Sequence, residues 1–223
     1  MARSISKTVF EVLNGLSFLN YAFENKLINE TALARFIKPR VEQLVGRETS
    51  LISVTIAVRR FLTSFVPAKK SENFFELLKS SKVSLFTGLA EGHFNSSKLV
   101  WQSVCDLQKS GALIFASQNP GEIVVVAEKE LLSELAKKTG KDFVSLSEKR
   151  GVVTISYDPY FFAESFGGLH FYTGQFAFFG IGIYQIFSTN SQTSFVIDEE
   201  KASSAYKNLS VSLEGISKVY GSE

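Results

Sequence analysis

The sequence contains few of the residues that build covalent cross-links and metal centres. Its 223 residues include one cysteine, Cys105, and two histidines, His93 and His170, which stand far apart in the chain. A single cysteine excludes an internal disulfide bond, and a zinc site needs several Cys or His ligands at close spacing. We therefore expect no metal site, no cofactor and a reducing, cytoplasmic compartment.

Long apolar runs and catalytic motifs are also missing. The longest apolar stretch covers residues 176–187 and is interrupted by Gly180, Gly182 and Gln185, whereas a membrane-spanning helix needs about 20 apolar residues. The sequence has no glycine pattern typical of a phosphate-binding loop, and its Ser, His and Asp residues form no recognised nucleophile motif. These absences argue against a membrane partner and against an enzyme.

Charge is divided unevenly along the chain. Residues 1–70 hold 11 Lys and Arg against 5 Glu, whereas residues 71–223 hold 13 basic residues against 17 acidic ones. A basic first part and an acidic second part suggest two domains with different partners.

The first part of the sequence has the pattern of short helices. Asn29 is a suitable N-cap for the helix that follows it, and Gly46 suits the C-terminal end of that helix. Pro39 is expected to end or kink the helix, or to begin a new one. We predict a basic, helix-turn-helix-like domain over residues 1–66, followed by a linker and a short helix over residues 67–81.

From residue 82 onward, strand patterns alternate with helix patterns. Residues 82–148 show the order β-α-β-β-α-β, which is typical of ferredoxin-like folds. Residues 149–223 repeat this order, with a last short strand at Ser217–Tyr220. The predicted fold class is α+β: an N-terminal helical domain followed by tandem ferredoxin-like βαββαβ repeats that share or adjoin a sheet.

The basic helical domain is a candidate nucleic-acid-binding surface. Its cations Arg35, Lys38, Arg40 and Arg47 lie around the predicted helix pair, where they could contact phosphates and base edges of DNA. The alternative interpretation is an ordinary basic face in contact with water.

Two segments resemble a known family. Residues 180–200, GIGIYQIFSTNSQTSFVIDEE, resemble the β2–β3 hairpin of ACT domains, especially those of aspartate kinases. Residues 28–42, INETALARFIKPRVE, together with residues 53–61, are similar to the helical head of mainly archaeal ACT-containing proteins, which are proposed regulators of amino-acid metabolism.

This resemblance implies ACT-type repeats that pair side by side and bind an amino acid where the β1–α1 loop meets a neighbouring domain. The loop positions would be Asp158 and Pro159 in the second repeat and roughly residues 91–95 in the first. Gly182 occupies the strand position at which many relatives carry Asn. Ser188 begins a polar turn that could hold a small molecule or could be only a hairpin turn. Asp158 could accept a ligand ammonium group or could simply cap a helix.

We therefore predict a non-catalytic, homodimeric regulator of amino-acid metabolism that senses an amino acid, with DNA as a further partner. Two alternatives remain at this stage. One is a dimerisation or docking protein without a small-molecule ligand. The other is a nucleic-acid-binding regulator of the helix-turn-helix type.

Overall fold

The computed structural model describes residues 3–24, 26–66 and 73–220. The chain divides into two compact units, Met1–Lys70 and Ser71–Glu223. The described part of the first unit is helical and that of the second combines a sheet with helices, so the predicted α+β class is confirmed. The linker residues predicted at 67–71 lie outside the described residues. Within the described ranges, no helix is both long and apolar enough to cross a membrane.

The helices of the first unit follow the capping signals of the sequence. They are α1 (Ile5–Asn14), α2 (Asn20–Glu24), α3 (Glu30–Val45) and α4 (Leu51–Ser64), with a 3₁₀ turn at Ser17–Leu19. The Asn29 side chain accepts a hydrogen bond from the N–H of Ala32 at 2.9 Å, which confirms the predicted N-cap. Gly46 ends α3 in the left-handed conformation, with φ of 76°, a geometry that glycine adopts without strain.

Helix α3 passes through Pro39, so two of the predicted alternatives, an end and a new start at this residue, are wrong. Proline removes one backbone donor from a helix, but Pro39 lies on the exposed side of α3. On the opposite side, Leu33, Ile37 and Val41 are buried on both sides of the proline in one core with α1 and α4. This burial keeps the helix continuous where the local signal favours a break.

The second unit has a six-stranded sheet and six helices in its described part. The strands are β1 (Lys82–Asn95), β2 (Phe115–Asn119), β3 (Glu122–Glu128), β4 (Phe143–Ser156), β5 (Gln185–Ser188) and β6 (Gln192–Asp198). The helices are α5 (Asn73–Ser80), α6 (Lys98–Lys109), α7 (Lys129–Thr139), α8 (Pro159–Glu164), α9 (Gly168–Phe178) and α10 (Glu199–Tyr220), with a 3₁₀ turn at Gly140–Asp142.

The two halves of this sheet share strands β1 and β4. All pairings are antiparallel, and the strand order is β2-β3-β1-β4-β6-β5. Residues 89–95 of β1 lie between β3 and β4 and pair with both strands. Residues 82–86 pair with β4 alone among the described strands. The first half therefore has the order β4-β1-β3-β2 and the second half the order β1-β4-β6-β5. Both match the four-stranded order of a ferredoxin-like unit.

The last strand predicted for the second repeat is wrong. Residues Ser217–Tyr220 belong to the end of α10. The place of this strand is taken by residues 82–86, which begin the first repeat. A register shift between Phe86 and Leu89, with Gly88 at φ of 74°, separates the part of β1 that serves the second half from the part that serves the first.

The helices cover one face of the sheet, and the sheet curls around the other. On the helical side, Ile155 and Phe195 pack with Leu77 and Leu78 of α5, the short helix predicted within residues 67–81. The opposite face carries an apolar cluster made of Phe86, Leu89, Phe115, Val126, Val152, Phe187 and Val196. The rings of Phe115 on β2 and Phe187 on β5 lie 5.8 Å apart, although β2 and β5 are the two edges of the sheet. The sheet thus forms an incomplete barrel around this cluster.

Candidate functional site

A groove lies where the two sheet edges approach each other beside α6. Its volume is about 520 Å³. It is lined by Trp101, Val104, Cys105 and Gln108 of α6, by Ile114–Ser117 at β2, and by Ile186–Thr189 at β5. The groove therefore lies between β2, the outermost strand of the first half, and β5, the outermost strand of the second half.

Helix α6 presents one side to this groove for a simple geometrical reason. Its lining residues Trp101, Val104, Cys105 and Gln108 are spaced i, i+3, i+4 and i+7, so they share one face. Ser97 fixes the start of the helix, because its hydroxyl accepts a hydrogen bond from the N–H of Val100 at 3.2 Å. Val104 also belongs to the core of the first half, which anchors the groove face of α6 to the sheet.

The groove combines neutral polar groups with apolar surface. No charged side chain appears among its described lining residues. Edge strands leave backbone N–H and C=O groups without a partner in the sheet, and both β2 and β5 are edges. Ser188 adds a hydroxyl, which shares a hydrogen bond of 3.2 Å with the hydroxyl of Thr193. Such a groove can form hydrogen bonds with both the donor group and the acceptor group of a small molecule.

A buried ionic network ties β5 to the middle of the sheet. Glu91 on β1 is only 3% exposed, and its Oε2 accepts a hydrogen bond from Nε of Arg150 on β4 at 3.0 Å. Its Oε1 accepts one from the amide of Gln185 on β5 at 3.1 Å. Nε2 of His93 lies 3.3 Å from the same oxygen. The network thus connects the strand that lines the groove with both shared strands.

The same network continues to β6. A guanidinium nitrogen of Arg150 lies 3.4 Å from Asp198, and the guanidinium carbon lies 3.8 Å from the centre of the Tyr184 ring. The Tyr184 hydroxyl donates a hydrogen bond to Asp198 at 2.9 Å. The Asp198 carboxylate, through this bond, raises the pKa of Tyr184, because ionising the phenol would remove the donated proton.

The prediction that residues 91–95 form a binding loop is wrong. Glu91 and His93 lie inside β1, and the strand ends at Asn95. Polar residues such as these are typical of loops, which is why the sequence suggests one. In the structure their side chains take part in the buried network instead. The true connection to α6 is the short segment Ser96–Ser97.

The four predicted ligand-binding residues do not converge on one place. Asp158 is the N-cap of α8, and its carboxylate accepts a hydrogen bond from the N–H of Tyr160 at 2.9 Å. Pro159 is the first residue of that six-residue helix. Gly182 lies in the exposed loop before β5. This loop is near the C-terminal end of β6, whereas Asp158 is near the N-terminal end of that strand. Of the four, only Ser188 lines the groove.

The predicted nucleic-acid-binding residues lie around α3, but they do not share one face. Arg35 and Arg47 are exposed and make no side-chain hydrogen bond or ion pair with any described residue. Arg40 donates a hydrogen bond to Gln43 at 2.6 Å and, at about 100° per residue, lies on a different side of α3 from Arg35. Lys38 is held in an ion pair with Glu42 at 2.6 Å.

Glu42 joins the end of α3 to the start of α4. It accepts hydrogen bonds from Lys38 and from the backbone N–H of Thr49, at 2.6 and 2.7 Å. The Lys38 hydrogen bond, followed by that of Thr49, holds the pKa of Glu42 below its usual value. The side chain of Lys38 is therefore already engaged within the protein.

The described residues include no group of three or more His, Cys, Asp or Glu side chains that could hold a metal ion. No family model matches the sequence, and no curated protein matches it. Similar solved structures include several regulatory parts of aspartate kinases.

The regulatory subunit of aspartate kinase from Thermus thermophilus is 16% identical, with a TM-score of 0.45 over 57% of this chain and 93% of that chain. A C-terminal regulatory domain of aspartate kinase from Porphyromonas gingivalis, itself a provisional assignment, is 12% identical, with a TM-score of 0.46 over 60% and 96% of the two chains. Aspartate kinase from Synechocystis is 14% identical, with a TM-score of 0.49 over 61% of this chain and 27% of that enzyme. These sequence identities and TM-scores are too low to place the chain in a family.

Proposed function

We propose that this chain is a non-catalytic regulator of the ACT type that senses an amino acid in the groove between β2, β5 and α6. The observation that carries the proposal is the position of the groove, which joins the edges of the two halves of one sheet. A ligand there contacts both halves at once, which is what a sensor needs to change their relative arrangement. The ACT-like hairpin at residues 180–200 and the ferredoxin-like strand order of each half support the same function.

The chemistry of the groove suits the two ends of an amino acid. Unpaired N–H groups of a strand edge can donate to a carboxylate, and unpaired C=O groups can accept from an ammonium group. Val104, Ile114 and Ile186 offer apolar surface for a side chain. Because the described lining carries no charged side chain, an amino acid with an uncharged side chain fits better than aspartate or lysine.

Binding would act on the sheet through β5. The first residue of this strand, Gln185, is bonded to the buried Glu91, and the following residues line the groove. A ligand that bridges β2 and β5 therefore stabilises the curled arrangement and adds to the free energy of unfolding. At a ligand concentration of about 100 times Kd, the gain is about 2.7 kcal/mol.

The test is a thermal-shift screen with the proteinogenic amino acids, followed by calorimetric titration. We expect one or a few amino acids with uncharged side chains to raise the melting temperature. Ser188→Val and Trp101→Ala should weaken this binding, whereas Asp158→Ala should leave it unchanged. If Asp158→Ala alone abolishes binding, the ligand sits at the start of α8 and not in the groove. If no amino acid gives heat or a shift, ligand sensing is refuted and the dimerising or docking role remains.

A second candidate function is nucleic-acid binding by the helical unit. The observation that favours it is that Arg35 and Arg47 are exposed and make no side-chain bond with described residues, in a part of the chain with a basic excess. We expect weak binding of duplex DNA that falls steeply with salt, because phosphate contacts release counterions. Arg35→Ala with Arg47→Ala should reduce fluorescence-anisotropy binding more than Lys38→Ala, whose cation is already paired. An equal effect of both, or no binding at low salt, would contradict this function.

A further inference from the structure

Helix α9 carries no Asp, Glu, Lys or Arg on its exposed side or on its buried side. Gly168, Tyr172 and Phe176 recur every four residues and face the core. The opposite side carries Gly174 and the exposed Ala177, with His170 as its only ionisable side chain. Residues 165–197 include no Asp, Glu, Lys or Arg at all. A helix without these four residue types on its exposed side is normally covered there as well.

Exposed phenylalanines stand at both ends of this helix. Phe166, two residues before its start, is 83% exposed. Phe178, its last residue, is 82% exposed, and its ring lies 5.0 Å from that of Phe179, which is 43% exposed. Concentrated exposure of large apolar side chains marks an interaction surface more often than chance.

We propose that the outer face of α9 packs against the same face of a second copy of this chain. Two features of the face favour a second copy over another partner. It has no Asp, Glu, Lys or Arg side chain with which a charged protein or an anionic membrane could pair, and two such faces meet without repulsion between side chains of these four types. A two-fold axis also places the start of one helix beside the end of the other, so Phe166 of one copy meets Phe178 of its partner.

Gly174 provides room for this contact. A Cβ atom placed on it would meet no other atom within 4 Å, so the helix surface is open at this position. Gly174 lies four residues before Phe178, which is about one turn of the helix. In the antiparallel pair that brings Phe166 against Phe178, Gly174 lies close to the two-fold axis, where the lack of a side chain lets the two helices approach each other.

The exposed area is sufficient for a reversible dimer. At about 200 Å² for an aromatic side chain, Phe166, Phe178 and Phe179 together expose roughly 400 Å² per copy, or about 800 Å² for two. The helix surface between them brings the total to about 1,000 Å², which is the lower end of specific interfaces. We therefore expect a dimer whose population depends on concentration in the micromolar range.

The experiment is sedimentation equilibrium of the full chain up to about 100 µM. Phe178→Ser should raise the dimer dissociation constant by about tenfold or more, and Gly174→Gln, which fills the open position on the helix, should do the same. Phe36→Ser is the matched control, because Phe36 is 66% exposed on helix α3 of the other unit, and it should leave the constant unchanged. Circular dichroism verifies that each variant is folded.

The proposal is independent of ligand sensing and has its own failing outcomes. A chain that stays monomeric over the whole concentration range overturns it. A dimer that survives both Phe178→Ser and Gly174→Gln also overturns it, because the contact then lies elsewhere. Binding of a monomeric chain to neutral phosphatidylcholine vesicles, lost in Phe178→Ser, would assign the face to a membrane surface instead.

Discussion

Replacing Arg150 by methionine tests the buried network most directly. The substitution keeps an unbranched apolar stem over Tyr184 but removes the cation that pairs with Glu91. Glu91 is 3% exposed and Arg150 only 12%, and their bonded atoms lie 3.0 Å apart. An exposed ion pair contributes little, but breaking a buried one costs about 3–5 kcal/mol because it leaves an uncompensated charge. Glu91 keeps the hydrogen bond from Gln185 in this variant. We therefore expect the free energy of unfolding to fall by about 3 kcal/mol, the lower limit of that range.

The measurement is urea unfolding followed by the fluorescence of Trp101, the sole tryptophan of the sequence. This residue lies on α6, so its signal reports the α+β unit. The control is Lys129→Met, which removes an ion pair of similar length, 2.8 Å, between two half-exposed side chains. This control should change stability little, because solvent screens the exposed pair.

A double-mutant cycle supplies the outcome that would refute the reasoning. Glu91→Leu combined with Arg150→Met removes both charges, so the double variant should be less destabilised than the sum of the single ones by about 1–3 kcal/mol. Additive losses, or an Arg150→Met loss no larger than that of Lys129→Met, would show that Glu91 is not held as a buried carboxylate.

Two further predictions concern the helical unit and the packing of β4. Glu42→Gln should destabilise the helical unit at neutral pH. The difference in melting temperature between this variant and the native chain, followed by circular dichroism, should vanish on acidification. The reason is that the lowered pKa of Glu42 contributes stability that is lost as the pH falls through that pKa. A difference that persists in acid would contradict this. Gly151→Ala should destabilise the chain by about 1–3 kcal/mol in urea, because the new Cβ would lie 2.5 Å from that of Ala202. The control Gly182→Ala meets no atom within 4 Å and should be nearly neutral, so equal effects of the two would contradict the packing argument.

Local signals predicted the ends of helices well. Asn29 and Gly46 perform the capping roles expected of them, since a cap is decided by a few neighbouring residues. Pro39 shows the limit of this reasoning, because its effect depends on which side of the helix faces the core. The first strand of the predicted repeat, which begins at residue 82, extends as far as Asn95 in the structure. Its second part contains glycines and charged residues, and only pairing with distant strands reveals it.

The candidate site was less accessible to sequence reasoning. The polar turn that begins at Ser188 predicts this residue, which does line the groove, but no pattern in the sequence indicates Trp101 or Gln108. Their spacing on α6 is that of any helix packed on a sheet, and no local pattern encodes the curl that brings β2 near β5. Asp158 illustrates the opposite case, because its predicted capping role is confirmed, whereas its role toward a ligand stays an untested prediction that the proposed groove site does not use.

The shared strands have a consequence for how the chain is made. Lys82 pairs with Ser156, 74 residues later, so β1 cannot complete its pairing until β4 has been synthesised. At about 5–20 residues per second, this delay is roughly 4–15 seconds. Neither half can form its sheet before β4 has been synthesised, and a ribosome stalled before β4 would leave part of β1 unpaired, a state that chaperones must protect.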